Sequence, residues 1–481
     1  MSIKKNFTYS SILTISGYLF PFITFPYISR VLGVSNIGLC NFIDSIINYF
    51  IMFSMMGIST VGIREIASKQ NNQQLLNQTF SSLFALCSIA TTLVLGVLIL
   101  CIFFVPQFSP HKNLLFIGVF KIIFNLFNIE WFFKGIEDFK YITIRSLFVK
   151  FIFIASIFIF IKDENDYIVY YAISTLTVFV SAVINWKHKN KYSNFYFNNL
   201  NIKNYVYPFI TMGIYSLLTS MYTSFNVTYL GFVANNTEVG YYTTATKLYT
   251  IFLSLFSAFT GVMLPKMSSL VAQNNFQQIR SITSKSFNVL YTFSIPIIIG
   301  TTIFSSSIIE IIAGQEYQGA IIPMMIVMPL LVIIGAEQIL VIQLLMPLKQ
   351  DKTILKNSII GAVCGTILNV LLVSQYQSIG SAIVWVCSEI IVLICSQYAI
   401  YKKLQISIFN KHLVTNIISG IPIAIILLIL KQYMHTTAFF TLATACIISF
   451  IYYFIVYYKI NKNTIITIVR QKFAKPKRLW Q

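Results

Sequence analysis

The residues of this sequence that could do chemistry are ionisable side chains set inside long apolar runs. An unpaired charge at the centre of a membrane-crossing helix costs about 2.5–3.5 kcal/mol on insertion scales, so such a residue should face a cavity or a partner. Arg30, Asp44, Lys121 and Lys247 fall at similar depths from the Lys-poor ends of their runs. They predict one layer with more positive than negative charge. That balance suits an anionic ligand, Arg acting through its planar fork and Lys as a point charge. Asp44 and Lys247 hold near-equivalent places in an internal repeat and are expected to meet. Arg64 and Glu65, with Glu130 and Lys134, form a second charged layer toward the other end. That layer reads as a salt-bridge network shaping a gate. Glu337 and Glu389 lie deep in their runs. They read as carboxylates paired with neighbours or as cavity groups for a coupling ion, H+ or Na+.

Other chemistry is not signalled. There is no Walker motif, no GxSxG, no HExxH and no Asp-rich metal motif. The 7 cysteines all lie inside apolar runs without a CxxC pair, and read as small buried hydrophobes. His111, His188, His412 and His435 are scattered among loops. Neither a metal nor a cofactor is expected, and the chain does not read as an enzyme.

The elements that position these residues follow from composition. The chain is 57% hydrophobic and 10% charged, too little polar surface to cover a soluble core. It reads as an all-α polytopic membrane protein of about fourteen spans, near 8–31, 38–62, 80–104, 114–134, 142–162, 166–186, 206–232, 239–263, 287–308, 321–345, 354–374, 378–400, 413–431 and 437–459. Barrel strands would be shorter and would alternate. Most Lys and Arg fall in the inner connections, while Arg30, Lys112, Lys162 and Lys431 fall outside. This bias puts both termini in the cytoplasm. It also accounts for the net charge of +20 without nucleic acid. Trp131 and Trp186 sit near inner helix ends, where such rings anchor to headgroups.

The chain repeats itself. Residues 26–38, PYISRVLGVSNIG, return in weaker form at 230–240, LGFVANNTEVG, with Gly38 on Gly240. Gln70-Asn71-Asn72 returns as Gln273-Asn274-Asn275. An even number of spans separates the copies, so two six-helix lobes should be related by a pseudo-twofold along the membrane normal. The expected units are a first lobe at 1–186, a polar cytoplasmic linker at 187–205 crossed by few contacts, and a second lobe at 206–402. Two extra helices and a basic cytoplasmic tail make up 403–481.

Three stretches of the first lobe carry a resemblance. Tyr27-Ile28-Ser29-Arg30-Val31-Leu32-Gly33 with Gly38, Gly62-Ile63-Arg64-Glu65-Ile66-Ala67, and Glu130-Trp131-Phe132-Phe133-Lys134-Gly135-Ile136-Glu137 resemble the PYxSRVLG, GxREIA and EWxxxGxE stretches of bacterial polysaccharide repeat-unit flippases. Those are the Wzx-type members of the multidrug/oligosaccharidyl-lipid/polysaccharide exporter superfamily. The resemblance implies translocation of undecaprenyl-diphosphate-linked oligosaccharide from the inner to the outer leaflet of the bacterial cytoplasmic membrane, for O-antigen, capsule or exopolysaccharide. It also implies membrane lipids, a coupling ion, a polysaccharide polymerase and a chain-length regulator as partners. Two other readings stay open within the superfamily: a cation-coupled drug or metabolite antiporter and a peptidoglycan-precursor flippase. An integral-membrane polymerase is disfavoured, because no outer loop is long enough to hold catalytic residues.

Overall fold

The computed structural model describes residues 3–196, 200–434 and 437–473. His435 and the end of the basic tail, from 474, lie outside them. Among the described residues there is no strand. The first half holds α1 (Ile3–Met55), α2 (Ile58–Lys69), α3 (Gln73–Phe104), α4 (Lys112–Phe127), α5 (Glu130–Gly135), α6 (Phe139–Phe160) and α7 (Tyr167–Lys189). The second holds α8 (Lys203–Thr223), α9 (Phe225–Val233), α10 (Asn236–Ala272), α11 (Phe276–Ile303), α12 (Ser305–Ile312), α13 (Ile321–Val327), α14 (Leu330–Gln338), α15 (Asp351–Leu368) and α16 (Ser374–Leu404). Two more, α17 (Lys411–Tyr433) and α18 (Ala438–Phe473), follow.

Helices are the open structure that satisfies every backbone polar group inside hydrocarbon. Among the described residues ten helical stretches are long and apolar enough to cross a membrane, up to eleven if Gln315–Val327 with Leu330–Leu345, bent by 43°, is one span. The chain is therefore a multi-pass membrane protein. Two of the ten, 12–69 and 351–404, are 58 and 54 residues long. At about 1.5 Å per residue each exceeds twice the roughly 30 Å of hydrocarbon, so each is long enough for two passes. Breaks fall at Gly33 (φ 72°) and Gln377 (φ 49°). Glycine adopts the left-handed region at no steric cost, which explains a glycine in the first break. The expected span 206–232 is helical as α8 and α9 but is interrupted at Ser224 and is not among the ten.

The polar echo of the repeat has a local cause. Asn72 caps α3, its side chain accepting from the N–H groups of Gln74 and Leu75, and Asn275 caps α11 by accepting from Gln278. Asparagine is favoured there because its carbonyl reaches an orphan N–H of the first turn. The halves meet chiefly where α1 packs along α10. One core runs through both, with Phe25, Ile43 and Ile47 joined to Tyr242, Tyr249 and Tyr317. The last two helices pack on the second half, α17 against α11 and α18 against α12.

Two expectations are corrected here. The linker is docked rather than loosely attached. Tyr196 N–H donates to Ser81 Oγ at 2.9 Å, Asn201 N–H to Ser82 Oγ at 3.1 Å, and Tyr192 OH to Asp138 at 2.9 Å. These bonds tie the linker backbone to the first third of α3 and a linker tyrosine to the start of α6. Trp131 is not a headgroup anchor. It is buried at 5% exposure and stacks on Phe80.

Candidate functional site

The second pass of α1 carries Asn41, Asp44, Ser45, Asn48 and Met52, whose spacing puts them on one helical face. That face lines a cavity of about 330 Å³ whose far wall is Ser220, Ser224, Val227 and Thr243. Hydrogen bonds stitch the walls together. Asn41 Nδ2 donates to Thr243 Oγ1 at 2.9 Å, Thr228 Oγ1 to Ser45 Oγ at 2.9 Å, and Tyr49 OH to the Ser220 carbonyl at 3.2 Å.

Glycines bring helices into close contact at both ends of this face, with α10 at one end and with α8 at the other. At the end holding Arg30, a Cβ on Gly38 would lie 1.7 Å from the Asn236 carbonyl oxygen, and one on Gly240 2.4 Å from that of Val34. At the other end, a Cβ on Gly57 would lie 2.6 Å from the Phe209 carbonyl oxygen, and one on Gly213 2.6 Å from Met56 Cβ. No side chain larger than hydrogen fits at these positions unless the helices part.

The expected cationic layer is not assembled around the cavity. Asp44 lines it, but its ion-pair partner is Lys121 of α4, not Lys247. Asn48 Nδ2 also donates to Asp44, at 3.1 Å. The reason is proximity: α4 packs directly against α1. Arg30 is spent on backbone. Its guanidinium donates to the carbonyls of Pro26, Glu310 and Ile311 at 2.6, 3.0 and 2.7 Å. Two of these are the last-turn carbonyls of α12, which a cation satisfies well. Arg30 therefore ties the two halves together. Lys247 lies over the Phe25 ring, 4.2 Å from its centroid, at the α1–α10 seam. Among the described residues no carboxylate lies within ion-pair distance of it.

The second charged layer resolves into two separate clusters, each with one carboxylate and two cations. Glu65 accepts from Arg64 at 3.2 Å and from Lys69 at 3.4 Å, and Lys69 also donates to Tyr205 OH of α8 at 3.0 Å. Glu130 binds Lys134 at 3.0 Å and Arg145 at 3.2 Å. Arg145, on α6, was read from the sequence only as a cation of an inner connection. It is 6% exposed and also donates to Asn128 Oδ1 at 3.1 Å. The glycines of these motifs pack α2 against α5: a Cβ on Gly62 would meet Trp131 at 2.6 Å, and one on Gly135 would meet Ile66 at 2.7 Å.

A second cavity, about 570 Å³, lies in the second half and shares Ser224 and Val227 with the first. Glu337 of α14 and Glu389 of α16 both line it. Trp385 Nε1 donates to Glu389 Oε1 at 3.1 Å. Among the described residues no Lys or Arg lines either cavity. The sequence signal missed was Trp385, one turn before Glu389 on the same face. A third hollow, about 470 Å³ and mostly apolar, lies between α10–α12 and the last two helices. Leu248, the residue after Lys247, lines it. Among the described residues no group of three or more His, Cys, Asp or Glu is placed to hold a metal ion.

The chain is similar to several known proteins. It is 24% identical over 399 residues to the "Putative O-antigen transporter" of Escherichia coli (strain K12), across 82% of this chain and 95% of that one. Its fold matches the solved structure "Lipid II flippase MurJ, inward closed conformation" with a TM-score of 0.74 at 15% identity, over 95% of this chain and 99% of that one. It also matches an inward-facing multidrug resistance MATE family transporter of the MOP superfamily, with a TM-score of 0.60 at 11% identity, over 84% of this chain and 95% of that one. Likeness at such identities establishes a shared architecture, not a shared cargo. Residues 3–271, the first half together with α8, α9 and nearly all of the seam helix α10, match the family described as "Polysaccharide biosynthesis protein", and the chain belongs to that family.

Proposed function

We propose that this protein is a flippase. It carries undecaprenyl-diphosphate-linked oligosaccharide repeat units from the inner to the outer leaflet of the cytoplasmic membrane by alternating access. The product is O-antigen, capsule or exopolysaccharide. The observation that carries the reading is a polar cavity inside a multi-pass protein, with the Gly38 contact of α1 on α10 at one end and the Gly57 contact on α8 at the other. Parting one contact while the other stays shut would expose the cavity to one side at a time. Membership of the polysaccharide biosynthesis family and likeness to an O-antigen transporter support the cargo.

The three parts of such a cargo have three kinds of surface to meet. Sugars suit the amides and hydroxyls of the first cavity. A polyprenyl tail suits the apolar hollow beside the last two helices. The diphosphate needs counter-charge in a low-dielectric setting. Lys247 lies at the seam, with Leu248 beside it in the wall of the apolar hollow. Translocation makes and breaks no covalent bond, so the reading needs no catalytic residue. Both termini are cytoplasmic in it, and a polymerase and chain-length regulator would act on the delivered units.

One observation favours a second reading. The likeness to the lipid II flippase extends over 95% of the chain, far enough to include helices of the C-terminal pair. A clean deletion separates the two. Loss of surface polysaccharide, with lipid-linked repeat units accumulating inside and growth unchanged, supports the first. Lysis with accumulated peptidoglycan precursor supports the second. Normal polymer and normal growth, in a strain without a paralogue, sinks both.

A further inference from the structure

The first two cavities share Ser224 and Val227, so their walls border one chamber. What a chamber can hold depends on the protons and charges its walls have to offer. A hydroxyl has one proton to give and two lone pairs with which to accept. Here the protons are already given. In the first cavity Ser45, Ser220 and Thr243 donate to the carbonyls of Phe42, Leu217 and Val239 at 2.7, 2.9 and 2.8 Å. In the second, Thr219, Thr246 and Thr250 donate to those of Tyr215, Thr243 and Lys247 at 3.1, 3.0 and 2.7 Å. Each bond runs back to the preceding turn of the residue's own helix, a common partner for a helical Ser or Thr. What the hydroxyls have left to offer is acceptor capacity. The amides of the α1 face are spent in the same direction: Asn41 gives an N–H to Thr243 and Asn48 gives one to Asp44.

The fixed charges point the same way. Asp44 lines the first cavity, and Glu337 and Glu389 line the second. The Asp44 side chain is 33% exposed, that of its partner Lys121 only 14%. Lys121 does not line the cavity; its ammonium lies over the Tyr171 ring, 5.7 Å from the centroid. Arg30 is spent on backbone carbonyls and Lys247 lies over Phe25. An ionised acid group on a sugar accepts hydrogen bonds and cannot donate them. Stripped of water in a membrane interior, it is costly unless donors or a cation replace the water, and these walls offer lone pairs and carboxyls. A neutral sugar is the complement. Its hydroxyls, and the N–H of an acetamido group, are donors. Tyr49 and Tyr215 add ring faces to the walls, apolar surfaces suited to the C–H face of a pyranose.

We infer that the chamber selects repeat units built of neutral and acetamido sugars and rejects those carrying an acidic group, whether uronate or phosphate. The inference deepens the flippase reading and rests on it. The rejection does not extend to the carrier diphosphate, which that reading leaves at the seam beside Lys247, and Lys247 lines neither cavity. Specificity of this kind comes from an unpaired charge imposed on the wrong cargo rather than from a tighter hold on the right one.

The first test uses the protein's own strain. Mass spectrometry of the lipid-linked units that accumulate on deletion should find hexoses, deoxyhexoses or acetamido sugars and no acidic group on the glycan. An acidic group there overturns the inference and leaves the flippase reading standing. If no unit accumulates, the flippase reading fails and the inference falls with it. The second test changes the wall. Two flippase-deficient hosts are used whose repeat units differ at one sugar, glucose in one and glucuronic acid in the other. The full chain should export the acidic unit at least about tenfold less well, the effect of one missing charge-assisted hydrogen bond. Ser224→Lys, at an exposed position shared by both cavities, should close most of that gap, and the uncharged Ser224→Gln should not. Equal export of the two units by the parent chain overturns the inference. So does a gap left unchanged by Ser224→Lys at parental membrane levels.

Discussion

Replacing Gly38 by alanine should force the Arg30 end of the seam open. The added Cβ would sit 1.7 Å from the Asn236 carbonyl oxygen and 2.8 Å from the Gly240 nitrogen, where ordinary contact begins at 3.4 Å. Both obstacles are backbone, so no side chain can swing aside. α1 and α10 must separate locally by about the missing 1.7 Å. Overpacking of this kind costs about 1–3 kcal/mol. Charged only to the closed arrangement, it shifts the ratio of parted to closed seam by roughly 5–150-fold. The assay is labelling of a single cysteine at Ser45, which lines the cavity, with a membrane-impermeant maleimide in intact cells lacking the native cysteines. Labelling from outside should rise in Gly38→Ala. It should stay at the parent rate in Gly96→Ala, where nothing lies within 4 Å of the new atom. If Gly38→Ala reaches parental levels in the membrane and labels no faster, the seam at Gly38 is not a gate and the reasoning fails.

Three further outcomes are expected. In a double-mutant cycle on thermal stability, Asp44→Ala should couple to Lys121→Ala by about 1–3 kcal/mol, between the exposed and buried ion-pair ranges, and not to Lys247→Ala; additivity with Lys121 would refute the pairing. Arg145→Ala should destabilise by about 1.5–3 kcal/mol, because it removes a buried guanidinium hydrogen-bonded to Glu130 and Asn128 although Glu130 keeps Lys134, whereas Lys134→Ala, at an i,i+4 pair, should cost about 0.5 kcal/mol; equal unfolding temperatures would contradict this. Lys247→Ala should impair polymer export while Lys247→Arg retains it, and unimpaired export in the alanine variant at normal protein levels removes Lys247 from the diphosphate path.

The helical, membrane-crossing character was legible because it depends on run length and composition, properties each segment carries by itself. The end-capping roles of Asn72 and Asn275 show why the repeat was visible too. A cap is a local device, and a duplicated helix start keeps it wherever the helix must begin in water. The pairing of charges was not legible. Asp44 had two candidate lysines at suitable depth, and depth is all that a linear pattern reports. The choice of Lys121 was made by α4 lying against α1, a contact between runs that are distant in sequence. Arg30 misled for a related reason. Its partners are the backbone carbonyls at the end of α12, and backbone acceptors leave no trace in residue type. The motif glycines Gly62 and Gly135 conveyed only that something approaches closely, not that Trp131 and Ile66 do.

This reassignment changes what the cavity asks of a cargo. A basic cavity would bind a diphosphate strongly and then have to release it. The cavity that the residues build is instead lined by amides, hydroxyls and Asp44, with its nearest lysine neutralised across an ion pair. Such a wall offers hydrogen bonds of many geometries and little fixed charge, which suits sugars of varied structure and leaves phosphate recognition to the seam. Gly38 and Gly240, Asn41 and Thr243 are each separated by the same 202 positions, and each pair is in contact across that seam. Contacts between equivalent positions are what a rotation axis passing through the seam would produce.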